Sequence, residues 1–364
     1  MNAVAPPPAP LADAGLSVLS PRYRATTLGM VALISLVAFE ALAVAAAMPT
    51  VAVALDGLKL YALAFGGALA TSVIGMTVAG RLCDARGPAT PLWLGLACFV
   101  AGLLLAGLAP SMDVLILGRL LQGLGIGAIS VSLYVLVART FPQTLQPKVF
   151  AAFSAGWVVP SLVGPGLSGL IVQHLGWRWV FLLVPALALP AALLLRPALR
   201  DSARPPAAQR DTHAVVRWAI GAAAAALLLY LGGQQSGVYA AVLMGVALLG
   251  LAVCSQRLLP PGTLRLQRGL PSVIALRGIA ASAFFAAEAF LPLLLQRERG
   301  LSPLWAGVAL SLGALGWFSG SWLQGHQRRG WSRRGLLRTG TALMCAGLVL
   351  SAATLQPAVP LPLA

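Results

Sequence analysis

The chain has 364 residues, of which 59% are hydrophobic and 9% charged, and it carries a formal net charge of +16. Soluble domains have about 25% charged residues, so this composition excludes an ordinary soluble protein and defines a multispanning membrane protein. A charge of this size could also serve a nucleic-acid partner, so its placement along the chain decides its meaning.

Apolar runs of about 20 residues recur, each long enough to cross a hydrocarbon core about 30 Å thick. They are too long for barrel strands, and open sheet edges do not survive in lipid, so the spanning elements are helices and the fold class is all-α. Residues 1–24 read as a Pro/Ala-rich cytoplasmic tail without the layout of a cleavable signal peptide, and the first helix is expected to serve as the targeting signal. Helices are predicted at roughly 27–52, 61–82, 90–109, 113–138, 148–173 and 179–195, which form an N-terminal six-helix half over 25–196. The polar, Pro-containing stretch 197–214 is the linker candidate. Two additional helices, roughly 216–233 and 237–255, fill 215–256; three more, roughly 272–295, 303–323 and 336–354, make a partial C-terminal half over 257–364. The expected bundle therefore has about 11 transmembrane helices, arranged as six, two and three.

With the N-terminus cytoplasmic, Lys59, Arg178, Arg297 and Arg299 fall outside and Arg119 falls within a span, while every other Lys and Arg lies on the inner side. The positive-inside rule accounts for this charge, and a nucleic-acid partner is not needed. The expected location is the bacterial inner (plasma) membrane. Cys83, Cys98, Cys254 and Cys345 show no CxxC spacing and read as small hydrophobes, with neither a disulfide nor a metal site expected. The only lysines, Lys59 and Lys148, lack the GxxxxGK[ST] context, so ATP hydrolysis is not expected. Neither GxSxG nor HExxH occurs, and His174, His213 and His326 sit at helix ends or in loops, so the chain reads as no enzyme and without a cofactor.

Of the nine acidic residues, only Glu40 and Glu288 fall within apolar runs. Low dielectric disfavours a charged carboxylate, which suits such a group to take up and release a proton as its surroundings alternate. Both are candidate protonation sites or cation contacts; the plainer alternative is snorkelling or a structural pair with Arg119. Arg119 lies in the first third of the fourth predicted helix, where a charge costs enough that it should face a protein interior or a watery cavity. Gln122 and Gly123 follow on the same helical face, Gln122 as a candidate substrate contact, and Gly123 with Gly127 gives the GxxxG spacing of close helix approach.

The loop after the second helix has Gly80, Asp84 and Gly87 at the positions of G-x-x-x-D-[RK]-x-G-[RK]-[RK], the fourth helix has Arg119, Gly123 and Gly125 as R-x-x-x-G-x-G, and the fifth has Gly156, Gly164, Pro165 and Gly169 at positions of G-x7-G-P-x-x-G-G, with one glycine of the final pair replaced. The chain thereby resembles the major facilitator superfamily and, through the fifth-helix pattern, its drug:proton antiporters. Ala85, Pro88 and Ala89 depart from the basic positions of the loop motif. Along the fifth helix Gly156, Pro160, Gly164 and Ser168 recur every four residues, a small-residue stripe for helix packing, and Pro165 withdraws a backbone donor. The resemblance implies that Asp84 braces the cytoplasmic side and that Arg119 is linked to proton transfer. The two additional helices resemble the fourteen-helix branch, and Phe290 to Gly307 looks like the start of its second half. A full member of that branch would have three further helices, so a shortened member is expected.

The expected function is secondary active transport, most specifically proton-coupled efflux of a small amphipathic or drug-like compound driven by the proton gradient. A truncated, non-transporting membrane protein of the same family and an uptake facilitator are the alternatives. Small-molecule substrate and lipid bilayer are the expected partners; substrate identity and oligomeric state are not legible from the residues.

Overall fold

The computed structural model describes residues 17–201, 213–325 and 332–353. Long apolar sequences with internal backbone satisfaction give α1 (Arg24–Ala54), α2 (Tyr61–Arg86), α3 (Ala89–Gly107), α4 (Met112–Thr140), α5 (Gln146–His174) and α6 (Arg178–Leu193). A short α7 (Arg196–Asp201) follows, then α8 (His213–Gly233), α9 (Gly237–Leu258), α10 (Leu270–Arg297), α11 (Pro303–Gly325) and α12 (Arg333–Ala353). Among the described residues nine helices are long and apolar enough to cross a membrane, with Arg178–Leu193 and Pro303–Gly313 as shorter apolar ones, and no strand is present. The expected all-α bundle is therefore what forms. One difference is α7, where a bare linker was expected. Pro197 is tolerated in a first helical turn, and Ala198 and Leu199 bury their side chains against the bundle, so the linker's opening residues wind up rather than run free.

The first six helices share one core, running from Tyr23 to Leu199 and including Met30, Leu33, Phe99, Leu133 and Phe181; Leu293 packs onto it from α10. α4 is its axis, clasped between α2 and α3. Glycines set the separation of these helices. A Cβ on Gly123 would lie 2.1 Å from the Ala68 carbonyl oxygen of α2, and one on Gly127 would lie 2.1 Å from that of Ser72. On the opposite side, a Cβ on Gly125 would lie 2.5 Å from the Gly95 carbonyl oxygen of α3. Contacts this short leave no room for any side chain, so backbone packs on backbone as GxxxG spacing allows. Large apolar side chains such as Leu69, Val73, Leu94, Leu117 and Val159 are exposed, as suits a surface whose solvent is lipid.

Arg178 donates from Nη2 to the Ala109 carbonyl at 3.1 Å and lies 4.3 Å over the Trp177 ring, fixing the α5–α6 corner. α8 and α9 pair with each other, and α8 lies along α2; α10 meets α1, and α11 packs on α5.

Candidate functional site

Arg119 projects from α4 into the centre of the first six helices and is 5% exposed, while Glu40, midway along α1, is 0% exposed. Burying either charge alone would cost several kcal/mol, and the fold meets that cost by bringing them together. Nη1 of Arg119 donates to Oε1 of Glu40 and, at 3.0 Å, to Oε1 of Gln122; Nε donates to the Ala64 carbonyl of α2 at 3.1 Å. The Gln122 amide in turn donates from Nε2 to Oε1 of Glu40 at 3.2 Å. Three side chains and one backbone carbonyl thus tie α1, α2 and α4 together. Oε2 of Glu40 is buried without a hydrogen-bond partner among the described residues. A buried carboxylate oxygen left open in this way is a place where a proton can reside.

Gln122, the candidate substrate contact, is fully buried, and its amide engages Arg119 and Glu40, because the i, i+3 spacing that puts it on the Arg119 face also puts it within reach of the carboxylate.

Glu288 stands apart, half-buried on α10 with no hydrogen-bond or ion-pair partner among the described residues. Beside it the Ala289 carbonyl accepts from the buried Tyr61 hydroxyl at 2.6 Å.

Gly80 and Asp84 lie on the last turns of α2, Asp84 exposed, and a Cβ on Gly80 would meet none of the described residues within 4 Å. Gly87 ends the helix at φ 82°, a conformation that favours glycine. On α5 the small-residue stripe faces α1: Gly156 lies against Ser35 and Gly164 against the Phe39 ring, and Ser168 Oγ donates to the Ala43 carbonyl at 2.6 Å. The same helix presents Pro165 and Gly169 to α11. A Cβ on Gly169 would lie 2.5 Å from Leu304 Cα, and one on Gly307 would lie 2.2 Å from the Pro165 carbonyl oxygen.

The contacts of Ser168 with Ala43, of Gly169 with Leu304 and of Gly307 with Pro165 close the end of the bundle towards the C-terminus of α1. Gln296 of α10 joins them, donating from Nε2 to the Ala46 carbonyl and accepting from the Thr50 hydroxyl, both at 3.2 Å. A cavity of about 490 Å³ lies between α1, α2, α4 and α5, walled by Ile34, Val37 and Met76 and by the aromatic side chains Tyr134, Phe150 and Trp157. Val37 stands one helical turn from Glu40, so the ion-pair cluster sits just beyond the cavity along α1. Tyr61, Gln296 and the aromatic wall had no signature in the sequence: polar residues near helix ends and aromatics in apolar runs are common, and only the helix pairing shows which face an interior.

Such a bundle, with a buried ion pair beside a cavity and helices from two parts of the chain meeting at one end, is a membrane transporter scaffold. The family profile of the Major Facilitator Superfamily matches residues 28–363, and the chain belongs to that superfamily, whose members are transporters rather than enzymes in general. The probable multidrug-efflux transporter Rv1634 of Mycobacterium tuberculosis (strain ATCC 25618 / H37Rv) is 29% identical over 350 residues, covering 92% of this chain and 73% of the relative. The multidrug transporter protein MdtP of Bacillus subtilis (strain 168) is 28% identical over 217 residues, covering 57% of this chain and 40% of MdtP. Among solved structures, a POT family transporter in complex with 5-aminolevulinic acid aligns with a TM-score of 0.58 at 15% identity, covering 84% of this chain and 71% of that one. At that identity the likeness is one of fold.

Proposed function

We propose that the chain is a proton-coupled exporter of small amphipathic molecules, with Glu40 as the proton site. The observation that carries this reading is the buried Glu40–Arg119–Gln122 cluster, one carboxylate oxygen of which has no partner among the described residues, set one helical turn from the cavity. A proton arriving at Glu40 neutralises the carboxylate and weakens its hold on Arg119. The guanidinium keeps the Ala64 carbonyl and Gln122 Oε1, so it stays partnered while α1 and α4 are released from their strongest tie. A proton and a carried molecule binding the two arrangements of the bundle unequally would then drive exchange by shifting the balance between them. The likeness to multidrug-efflux transporters favours export as the direction of travel.

Glu288, close to the α2–α10 contact, is a second site for the proton or for a cationic group. Gly80, Asp84 and Gly87 serve the tail-side closure, Gly123 and Gly125 hold α4 against α2 and α3, and Gly156, Gly164, Pro165 and Gly169 line the contacts of α5 with α1 and α11.

The test is transport by everted vesicles or proteoliposomes that contain this chain alone, with an imposed pH gradient. Substrate accumulation should follow the gradient and collapse with a protonophore, and Glu40→Gln should remove it while leaving the protein folded. Undiminished gradient-driven transport by the Glu40→Gln protein would remove Glu40 from the mechanism.

A further inference from the structure

We propose that the cavity between α1, α2, α4 and α5 is a binding site for uncharged, planar aromatic molecules that carry a hydrogen-bond donor. This assignment rests on the transport reading above, because it takes the cavity as a place that a carried molecule occupies.

The aromatic wall has a defined shape. Tyr134 and Phe150 stack with ring centroids 5.3 Å apart at 24°, and Phe153 stands across both, at 85° to Tyr134 with centroids 6.0 Å apart and at 83° to Phe150 with centroids 5.9 Å apart. Trp157, one turn further along α5, is 43% exposed and borders the same space. Phe153 is buried and braces the stacked pair from behind, and the accessible faces of Tyr134 and Trp157 are where a flat ring can stack or meet an edge, the geometries that aromatic quadrupoles favour. A cavity of about 490 Å³ is of the size that holds a small ligand.

The charge of the ligand follows from what is missing among the described residues of the lining: no Asp, Glu, Lys or Arg borders the cavity. The nearest carboxylate, one turn away at Glu40, is already neutralised by Arg119. A permanent cation or anion would therefore enter an apolar site without a counter-charge, which is costly. The donor requirement follows from the serines. Ser130 Oγ donates its proton to the Ile126 carbonyl at 2.8 Å, and Ser154 Oγ donates to the Phe150 carbonyl at 3.1 Å. Both hydroxyls border the cavity with only acceptor lone pairs left, so a phenol O–H or an aromatic N–H is satisfied there and a second acceptor is not.

The experiment uses the full chain in lipid nanodiscs and three probes of one ring size: naphthol, N-methylquinolinium and naphthalenesulfonate. Binding is followed by tryptophan emission, with Trp157→Phe as the blank that retains a ring but removes the local reporter. Naphthol should bind at least tenfold more tightly than either ion, and Tyr134→Ala and Phe153→Ala should each weaken it about tenfold. Ser130→Ala with Ser154→Ala should weaken naphthol but leave unsubstituted naphthalene unchanged, a readout that a merely misfolded variant would not give. Equal or tighter binding of N-methylquinolinium, or naphthol binding that ignores the aromatic substitutions, would overturn the assignment. The two readings fail separately: naphthol binding without gradient-driven transport removes the exporter and keeps the site, whereas transport of cations without naphthol binding does the reverse.

Discussion

Arg119 reaches three acceptors at once, and they come from three helices: Glu40 of α1, the Ala64 carbonyl of α2 and Gln122 of its own α4. Removing it would strip Glu40 of its counter-charge in a site that admits no water-exposed alternative. Arg119→Ala is therefore expected to destabilise the folded chain by about 3–5 kcal/mol, the usual cost of orphaning one member of a buried pair. Arg119→Leu combined with Glu40→Gln should recover most of that loss, since no charge is then left buried. Thermal unfolding of the detergent-solubilised single and double variants measures both, and a single variant as stable as the parent would mean that Glu40 finds another partner. Glu40 and Arg119 could be read from sequence because a charge inside an apolar run is rare and demands a partner. Gln122 could be placed on the right face but not given its role. An amide is content with ligand, water or neighbour, and only the separation of α1 from α4 decides which of them it meets.

Helix separation is where glycine matters most, and the glycines of this chain divide into two physical kinds. At Gly123 an added Cβ would run into the Ala68 carbonyl oxygen at 2.1 Å and the Thr71 hydroxyl at 2.2 Å. That hydroxyl is itself engaged, donating to the Leu120 carbonyl at 2.8 Å, so neither group can yield without parting α2 from α4. Gly123→Ala should cost about 1–3 kcal/mol by overpacking. At Gly80 no described residue lies within 4 Å, so Gly80→Ala should be neutral or stabilise α2 by up to about 1 kcal/mol through helix propensity. Paired melting curves of the two alanine variants check the contrast, which would fail if Gly80→Ala proved as damaging as Gly123→Ala. Spacing in the sequence identified the Gly123–Gly127 face and the α5 stripe as packing surfaces but could not name what packs there. That α1 covers the stripe while α11 takes Pro165 and Gly169 depends on contacts between residues more than a hundred positions apart. Helix positions, by contrast, follow from local hydropathy, and the structure moves their ends by only a few residues. The exception is α7, where the first residues of the nominal linker, 197–201, wind on from Arg196 because Ala198 and Leu199 find an apolar surface.

Across the whole molecule the first six helices share one core, and the later helices pack on it along separate seams: α11 broadly on α5, α8 on α2 and α10 more sparsely on α1. The α10 seam lies at the end far from the N-terminal tail. There Tyr61 and Gln296 make hydrogen bonds that cross between the two parts, whereas the aromatic cavity lies at the other end. This asymmetry is what one of two alternating arrangements should have, and it implies that transport requires the far-end seam to part. Cysteines at Thr50 and Gln296, whose side chains touch at 3.2 Å, put that requirement to a direct test. In a background with Cys83, Cys98, Cys254 and Cys345 replaced by alanine, a short bis-methanethiosulfonate linker should join positions 50 and 296, halt transport and leave the single-cysteine proteins active. Reduction should restore the rate, because the linker holds the bundle by disulfides alone. Naphthol should still bind the linked protein, since its site lies at the opposite end and is open in the arrangement that the linker traps. A fully linked protein that transports at the parent rate would show that the α1–α10 seam does not open during the cycle, and the gate would then have to lie along α5 and α11.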